Sequence, residues 1–347
     1  MNFLKPRISR AYFFLSGEHR TLPYSELVAL SEAEHNYLKI HAKLDQLVIG
    51  ECEERFFEVL KRRAALVRYA GILLGIIETR EGTDGLRRLL KENNMLRNLP
   101  FSHISFRRIK RYGCNIKYAD VINVIQEALR GAARSPNAPL IDVIVSEGVM
   151  VIGYRLYTRK VSEFNVRAPQ RRPVYLPGTL TPLWSRIFVN LSRAGPGGLF
   201  YDPFCGVGGF LLEACVMGLK YVGSDISVRH VEGAAKNLTH YGCVPHVFVA
   251  DACGTPIPAR RVSSIGTDPP YGRLTQVQCS GGLHELMECF LNEAAEILSD
   301  GGYLAFAQRK DIDVEGIIDN VGLKIVERHL NWVHGALTRD IFVVKKH

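Results

Sequence analysis

The C-terminal half of this chain is predicted to be an α/β domain, a parallel sheet finished by an antiparallel hairpin, behind an α+β N-terminal half. Three observations predict it. From about Val174 onward, short apolar runs alternate with segments of helical spacing. A glycine-rich loop, Gly206-Val207-Gly208-Gly209, lies between the first of those runs and the first of those helices. The last two apolar runs follow each other with only a loop between them.

The elements follow in order. Within residues 1–60, Arg10–Leu15, Tyr37–Ile40 and Gln46–Cys52 are expected as strands around a helix at Tyr24–Leu30, and residues 56–97 read as mainly helical. Ser102–Lys110 alternates as a strand does. Tyr118–Ala132 has helical spacing, with Tyr118, Val121, Ile122, Ile125, Ala128 and Leu129 on one face. Ile141–Val145 and Val149–Tyr157 are two strands around a Glu147-Gly148 turn. Asn165–Pro182, with four prolines and three arginines, reads as a linker. Beyond it, Leu199–Asp202, Tyr221–Ile226, Val247–Asp251, Ser263–Asp268 and Tyr303–Gln308 are expected as buried strands, with helices at Gly209–Gly218, Val228–Tyr241 and Leu283–Leu298. Leu323–Leu330 and Asp340–Lys345 form the closing pair.

Composition narrows the function classes. At 347 residues the chain needs two or three domains. Its longest apolar stretch, Tyr69–Ile77, is short and broken by Gly71 and Gly75, so no membrane span is expected. Without a secretory pattern at the N-terminus, a cytoplasmic address is expected. The eight cysteines include no Cys-x-x-Cys pair, which argues against a zinc ribbon or an iron–sulfur cluster, so no metal is expected. In a reducing compartment they should be mostly buried free thiols, a disulfide being reserved for a hyperthermophile. The net charge of +9 divides into +11 for residues 1–178 and −2 for the remainder. One half is suited to holding a polyanion while the other does chemistry.

The loop Asp202-Pro203-Phe204-Cys205-Gly206-Val207-Gly208 allows a tight turn, close approach to a ligand and a helix N-terminus behind it. Alone, such a loop would also serve a dinucleotide, a phosphate or simple packing. Leu211 stands where the dinucleotide fingerprint wants a third glycine, and Gly-Lys-Ser/Thr occurs nowhere. A loop beginning with Asp202 suits a ligand carrying positive charge, such as S-adenosylmethionine. Asp225 ends the next strand, 23 residues on, placed to accept ribose hydroxyls. Asp251, followed by Ala252, ends the third and is placed for an adenine amine. Acids at three successive strand ends share one crevice.

Asp268-Pro269-Pro270-Tyr271 follows the fourth strand. The prolines stiffen the turn and remove two N–H donors, leaving carbonyls for the site. An exocyclic base amine is a poor nucleophile because its lone pair is delocalised. Acceptors at Asp268 and Pro269 would let the nitrogen pyramidalise, and Tyr271 would stack on the base. Absence of a Pro-Cys dipeptide disfavours carbon methylation through a covalent cysteine.

On these motifs, and on Pro177-Gly178-Thr179-Leu180-Thr181-Pro182 with Arg186 and Val189-Asn190-Leu191, the chain resembles the archaeal tRNA guanosine-10 N2-methyltransferases over essentially its whole length. The resemblance implies a Rossmann-like class I methyltransferase domain at 179–347, a linker at 161–178, a THUMP tRNA-binding domain at 61–160 and a ferredoxin-like domain at 1–60. The THUMP likeness is carried by Phe101–Lys160. It also implies S-adenosylmethionine as cofactor, with Thr179, Asp202, Phe204, Cys205, Gly206, Gly208, Asp225, Ile226, Asp251, Ala252 and Asp268 around it, and Asp268, Pro269, Pro270 and Tyr271 at the amine. The partner implied is tRNA. A monomer is expected, with room for a small activating protein of the kind some relatives use. Arg107, Arg108, Lys110, Arg111, Lys160, Arg167, Arg171 and Arg172 are candidates for phosphate contacts, which position RNA without specifying the base. Methylation of an adenine N6 or a ribosomal guanine N2, and RNA binding without catalysis, stay open at this point.

Overall fold

The computed structural model describes residues 7–92, 99–110, 117–129, 133–270, 282–310, 312–334 and 337–347. It divides into two units, the first holding most of residues 7–159 and the second residues 160–347 together with Ser25–His35 and Arg63–Ala65.

In chain order the elements up to residue 159 are β1 (Ile8–Leu15), α1 (Leu22–Ala33), β2 (Leu38–Leu44), β3 (Leu47–Glu53), α2 (Phe56–Arg63), β4 (Val67–Glu78), α3 (Gly82–Glu92), β5 (Ile104–Arg108), α4 (Tyr118–Ala128), β6 (Ile141–Ser146) and β7 (Val149–Thr158). The seven strands form one sheet in the order β2-β3-β1-β4-β7-β6-β5. All neighbours are antiparallel except β5 and β6. A domain boundary at residue 60 is therefore a misreading. It would cut α2, and it would separate β1 from β4, which are hydrogen-bonded neighbours.

The strand β4 corrects a second expectation, since residues 56–97 read as mainly helical. It lies mid-sheet and is buried on both faces, so the period-2 alternation that marks a half-exposed strand is missing. Gly71 shows the local reason for a strand: a Cβ there would overlap the carbonyl of Tyr154 on β7. At the Glu147-Gly148 turn both residues have positive φ, 46° and 83°, as a two-residue hairpin turn requires. The helix α4 buries Val121, Val124, Ile125 and Leu129, while Tyr118 is exposed and meets Phe106 edge-on.

The second unit continues with α5 (Val161–Asn165), α6 (Pro182–Leu191), β8 (Leu199–Asp202), α7 (Gly209–Val216), β9 (Lys220–Asp225), α8 (Val228–His240), β10 (Val247–Val249), β11 (Val262–Thr267), α9 (Gly282–Ile297), β12 (Leu298–Arg309), α10 (Glu315–Asn320), β13 (Leu323–His334) and β14 (Leu337–Lys346). Its sheet runs β10-β9-β8-β11-β12-β14-β13. The first five strands are parallel; β14 is antiparallel to both β12 and β13 and lies between them. One face packs on α9 through Tyr201, Ile265, Phe290, Leu304, Phe306 and Phe342. Burial of these large side chains is the main stabilising term for the domain.

Residues 161–178, expected as a linker, are part of this unit. Phe164, Arg167, Pro169 and Arg172 are buried, and Asn237 on α8 bonds both the N–H and the carbonyl of Val174 at 2.9 Å. The cysteines also differ from expectation. Cys215 is joined to Cys243 and Cys253 to Cys289, while Cys52 and Cys205 are free and buried. The fold brings the paired Cα atoms to 6.1 and 5.2 Å, within disulfide range, across separations that sequence alone does not relate. Among the described residues, no helix is long and apolar enough to cross a membrane.

Candidate active site

The acids at the strand ends are brought together as their order implied. Asp202 ends β8, Asp225 ends β9, Asp251 lies two residues past β10, and Asp268 follows β11 directly. All four line one cavity of about 570 Å³. Its wall also includes Leu176–Leu180, Ser185, the loop from Pro203 to Val207, Gly209, Ile226, His230, Ala252 and Pro270. Of the residues assigned to the cofactor, Thr179, Phe204, Cys205, Gly206, Ile226 and Ala252 are thus on the wall with the four acids. Gly208 and Pro269 are not. Tyr271 lies outside the described residues.

The loop is shaped by two glycines with positive φ, Gly206 at 49° and Gly208 at 83°, and Gly208 caps α7 in the left-handed conformation. Only glycine adopts this pair of angles without strain. Asp225 braces the loop from the neighbouring strand. Its Oδ2 accepts from the Gly206 amide at 2.9 Å, and its Oδ1 accepts from Ser227 N at 2.9 Å and lies 3.1 Å from His230 Nδ1. The helix cap of α8 is Ser227, so Asp225 is not simply a capping residue.

Asp202 is 3% exposed. Its Oδ1 accepts from Thr267 Oγ1 at 2.7 Å and from the Phe204 amide at 3.2 Å. Burial pushes its carboxyl up to about 8, with Asp225 and Asp268 adding to the rise and the two hydrogen bonds opposing it. Asp202 is thus a buried acid on the cavity wall. Asp251, more exposed, accepts from the Cys253 amide at 3.0 Å.

Asp268 has a partner that sequence reasoning missed. Arg339 on β14, 4% exposed, donates from Nη1 to both carboxylate oxygens at 3.1 and 3.2 Å. The contact spans 71 residues and depends on β14 lying next to β12, which no local pattern announces. The charged hydrogen bonds from Arg339 fix the Asp268 carboxylate at the cavity.

The basic candidates separate by burial. Arg107, Lys110, Lys160 and Arg171 are exposed; Arg108 is half-buried; Arg111 lies outside the described residues. Lys110 pairs with Asp45 at 2.5 Å and Lys160 with Glu163 at 3.7 Å. Arg167 and Arg172 are corrections. They are 7% and 6% exposed, because the proline-rich segment packs against α7 instead of crossing solvent. Arg167 gives Nε and Nη2 to the buried Glu213 at 2.7 and 3.0 Å. Neither guanidinium is presented to a phosphate on the surface.

The chain is similar to known proteins in sequence and in fold. Residues 169–341 match the model of the family described as UPF0020, RMKL-like, methyltransferase domain. The tRNA (guanine(10)-N2)-dimethyltransferase of Pyrococcus abyssi (strain GE5 / Orsay) is 31% identical over 332 residues, covering 92% of this chain and 95% of that protein. The protein of the same name from Methanothermobacter thermautotrophicus is 29% identical over 340 residues, covering 96% and 98%. Among solved structures, TrmN from Thermus thermophilus superposes with a TM-score of 0.51 at 21% identity, over 98% of this chain and 100% of that one. SMU.472, a putative methyltransferase complexed with SAH, also gives 0.51, at 14% identity over 99% of each chain. These two likenesses show the fold.

Proposed function

Since the chain belongs to the tRNA (guanine(10)-N2)-dimethyltransferase family, we propose that it transfers methyl groups from S-adenosylmethionine to the exocyclic N2 of guanosine 10 in tRNA. The observation that carries this is the placing of Asp268, clamped by Arg339, on the same cavity as Asp202, Asp225 and Asp251. When bound, the cofactor supplies an electrophilic methyl on a sulfonium sulfur. Three acids fit it: Asp202 would hold its ammonium, Asp225 its ribose hydroxyls, and Asp251 its adenine amine, with the Ala252 amide beside it.

Asp268 and the Pro269 carbonyl then each accept one N–H of the guanine amine. This localises the lone pair on nitrogen and turns it toward the methyl. Asp268 also offsets the positive charge that develops on nitrogen as the bond forms. The proton leaves after transfer, so no strong base is needed. Guanosine 10 sits in a stem and has to be drawn out of its stack to reach Asp268. The basic first unit, read as a THUMP-type RNA-holding module, contributes binding free energy that offsets this cost. Arg107, Arg108, Lys110, Lys160 and Arg171 remain its candidate phosphate contacts. Two successive transfers are proposed, since the relatives of this length are named dimethyltransferases.

Incubation with labelled S-adenosylmethionine and unmodified tRNA transcripts, followed by nucleoside analysis, tests the proposal. Label in N2-methylguanosine and N2,N2-dimethylguanosine, lost when guanosine 10 is replaced, is the expected result. Label in N6-methyladenosine overturns the base assignment, and no label in nucleic acid overturns the reaction.

The raised carboxyl of Asp202 gives a pH dependence. Below about 8 the group is neutral in the free protein, so seating a cation requires it to lose a proton. An α-amino group titrates at about 7.7–8.0 and loses its charge above that range. Cofactor affinity is therefore expected to peak near pH 8, to fall by about tenfold or more by pH 6, and to release a proton on the acid side. Titration calorimetry in buffers of different ionisation heat reads both quantities. An affinity flat from pH 6 to 8 removes Asp202 from the seat.

A further inference from the structure

Behind the cavity wall formed by the start of α7, two guanidinium groups are packed against one carboxylate and a third is bonded to the backbone of the first. Glu213 on α7 is fully buried and takes two bonds from Arg167 and one from Arg186 Nε at 2.9 Å. Arg172 is the third cation. Its Nε donates to the Arg167 carbonyl at 3.0 Å, but Nη1 and Nη2 are buried and have no hydrogen-bond partner among the described residues. Ser185 Oγ, wholly buried on the cavity wall, has none either. Buried donors left this way are rare and point to something that completes them. Burial also pulls the Arg172 guanidinium below its usual range, with Glu213 opposing the shift.

The unpartnered groups converge on one place. Gly209, the first residue of α7, lines the cavity. A Cβ built there would lie 3.3 Å from Arg172 Nη1 and 3.4 Å from Ser185 Oγ, and apart from the chain next to Gly209 nothing else comes within 4 Å. Both donors therefore lie beside the bare Cα of Gly209 at the cavity wall, where any side chain would crowd them. The first-turn amides of α7, which have no partner within the helix, open onto the same place. Arg172 makes no ion pair among the described residues, whereas the acids of the cavity are Asp202, Asp225, Asp251 and Asp268. The cavity thus has unpartnered donors beside Gly209 and acids at its strand ends.

We propose that Arg172, Ser185 and the start of α7 form the seat for the carboxylate of the cofactor's amino-acid end. The proposal rests on the cofactor reading above. It places the carboxylate beside these donors and the ammonium and sulfonium toward the acids, so both ends of one zwitterion are held. A nucleic-acid phosphate is the other oxyanion to consider, and the carboxylates of Asp225, Asp251 and Asp268 on the same cavity disfavour a polyanion. The absence of a side chain at Gly209 is what keeps the seat open.

The test is calorimetric binding of S-adenosylmethionine and of its decarboxylated counterpart, which differ in the carboxylate alone. The native protein is expected to prefer the carboxylated ligand by roughly 10- to 100-fold, the effect of charged hydrogen bonds. In Arg172→Met the preference should shrink to within about 3-fold while the decarboxylated ligand binds as before. Ser185→Ala should reduce it in part and Arg172→Lys should restore it in part. Affinity for tRNA should not change in any of them. Retention of the native preference by Arg172→Met overturns the proposal, as does equal loss of both ligands with the thermal melt intact. Loss of tRNA affinity with ligand preference kept returns Arg172 to the RNA. If Arg172→Met does not fold, Ser185→Ala decides by the same comparison. A native protein that binds neither ligand overturns the cofactor reading itself; one that binds both alike overturns only the seat.

Discussion

Replacing Asp268 by Ala is expected to lower kcat by about 10³-fold or more, the scale of removing one preorganised electrostatic contact in the transition state, and to leave cofactor and tRNA affinity nearly unchanged. Single-turnover methylation at saturating tRNA, with separate binding titrations, separates the two quantities. Asp268→Asn is expected to be nearly as inactive. Arg339 donates to both oxygens of residue 268 and carries no acceptor, so it holds the amide oxygen and leaves the amide NH₂ facing the substrate amine. A donor would then meet a donor. Arg339→Gln, which releases Asp268 without removing it, is expected to cost less than either change. Wild-type turnover by Asp268→Ala would remove the mechanism.

The second large effect is on stability. Removing the carboxylate of Glu213 with Glu213→Ala takes away the anion that the buried Arg167 and Arg186 share, which should destabilise the second unit by about 3–5 kcal/mol. The side chains of Arg167, Arg186 and Glu213 are at most 9% exposed, so solvent screens little of this. Replacing all three by apolar residues of similar volume is expected to cost far less, because the desolvation cost of the ions goes with them. Denaturant unfolding followed by near-ultraviolet dichroism measures both. A loss below about 1 kcal/mol in Glu213→Ala would show that water reaches the cluster.

What could be read from the sequence had a local or strictly periodic signature. The acids at residues 202, 225, 251 and 268 stand at strand ends separated by helices, so chain order alone put them along one crevice. The glycines at 206 and 208 were legible because the turn needs positive φ there. Arg339 was not, since only the strand order beside β12 brings it to Asp268. Arg167 and Arg172 were misread for a related reason. Charge in a proline-rich stretch suggests solvent, and nothing near them shows that Glu213, 46 residues after Arg167, is folded underneath. The strand β4 read as helix because a strand covered on both faces loses its alternation. The single sheet of the first unit was missed with it, since β4 is the strand that joins the expected modules.

The place of β14 between β12 and β13 bears on how the enzyme is made. A ribosome delivers β13 before β14, so the emerging β13 finds the edge of β12 while its own neighbour is still in the exit tunnel. It has to wait unpaired, or pair with β12 wrongly and be displaced. Synthesis proceeds at about 5–20 residues per second and folding runs from the N-terminus, so the cofactor loop can close seconds before Arg339 arrives at Asp268. A ribosome that stalls before residue 337 would leave a chain with its cofactor loop folded and its amine site uncompleted. The order of translation thus puts the Asp268–Arg339 contact after the closing of the loop at residues 203–208.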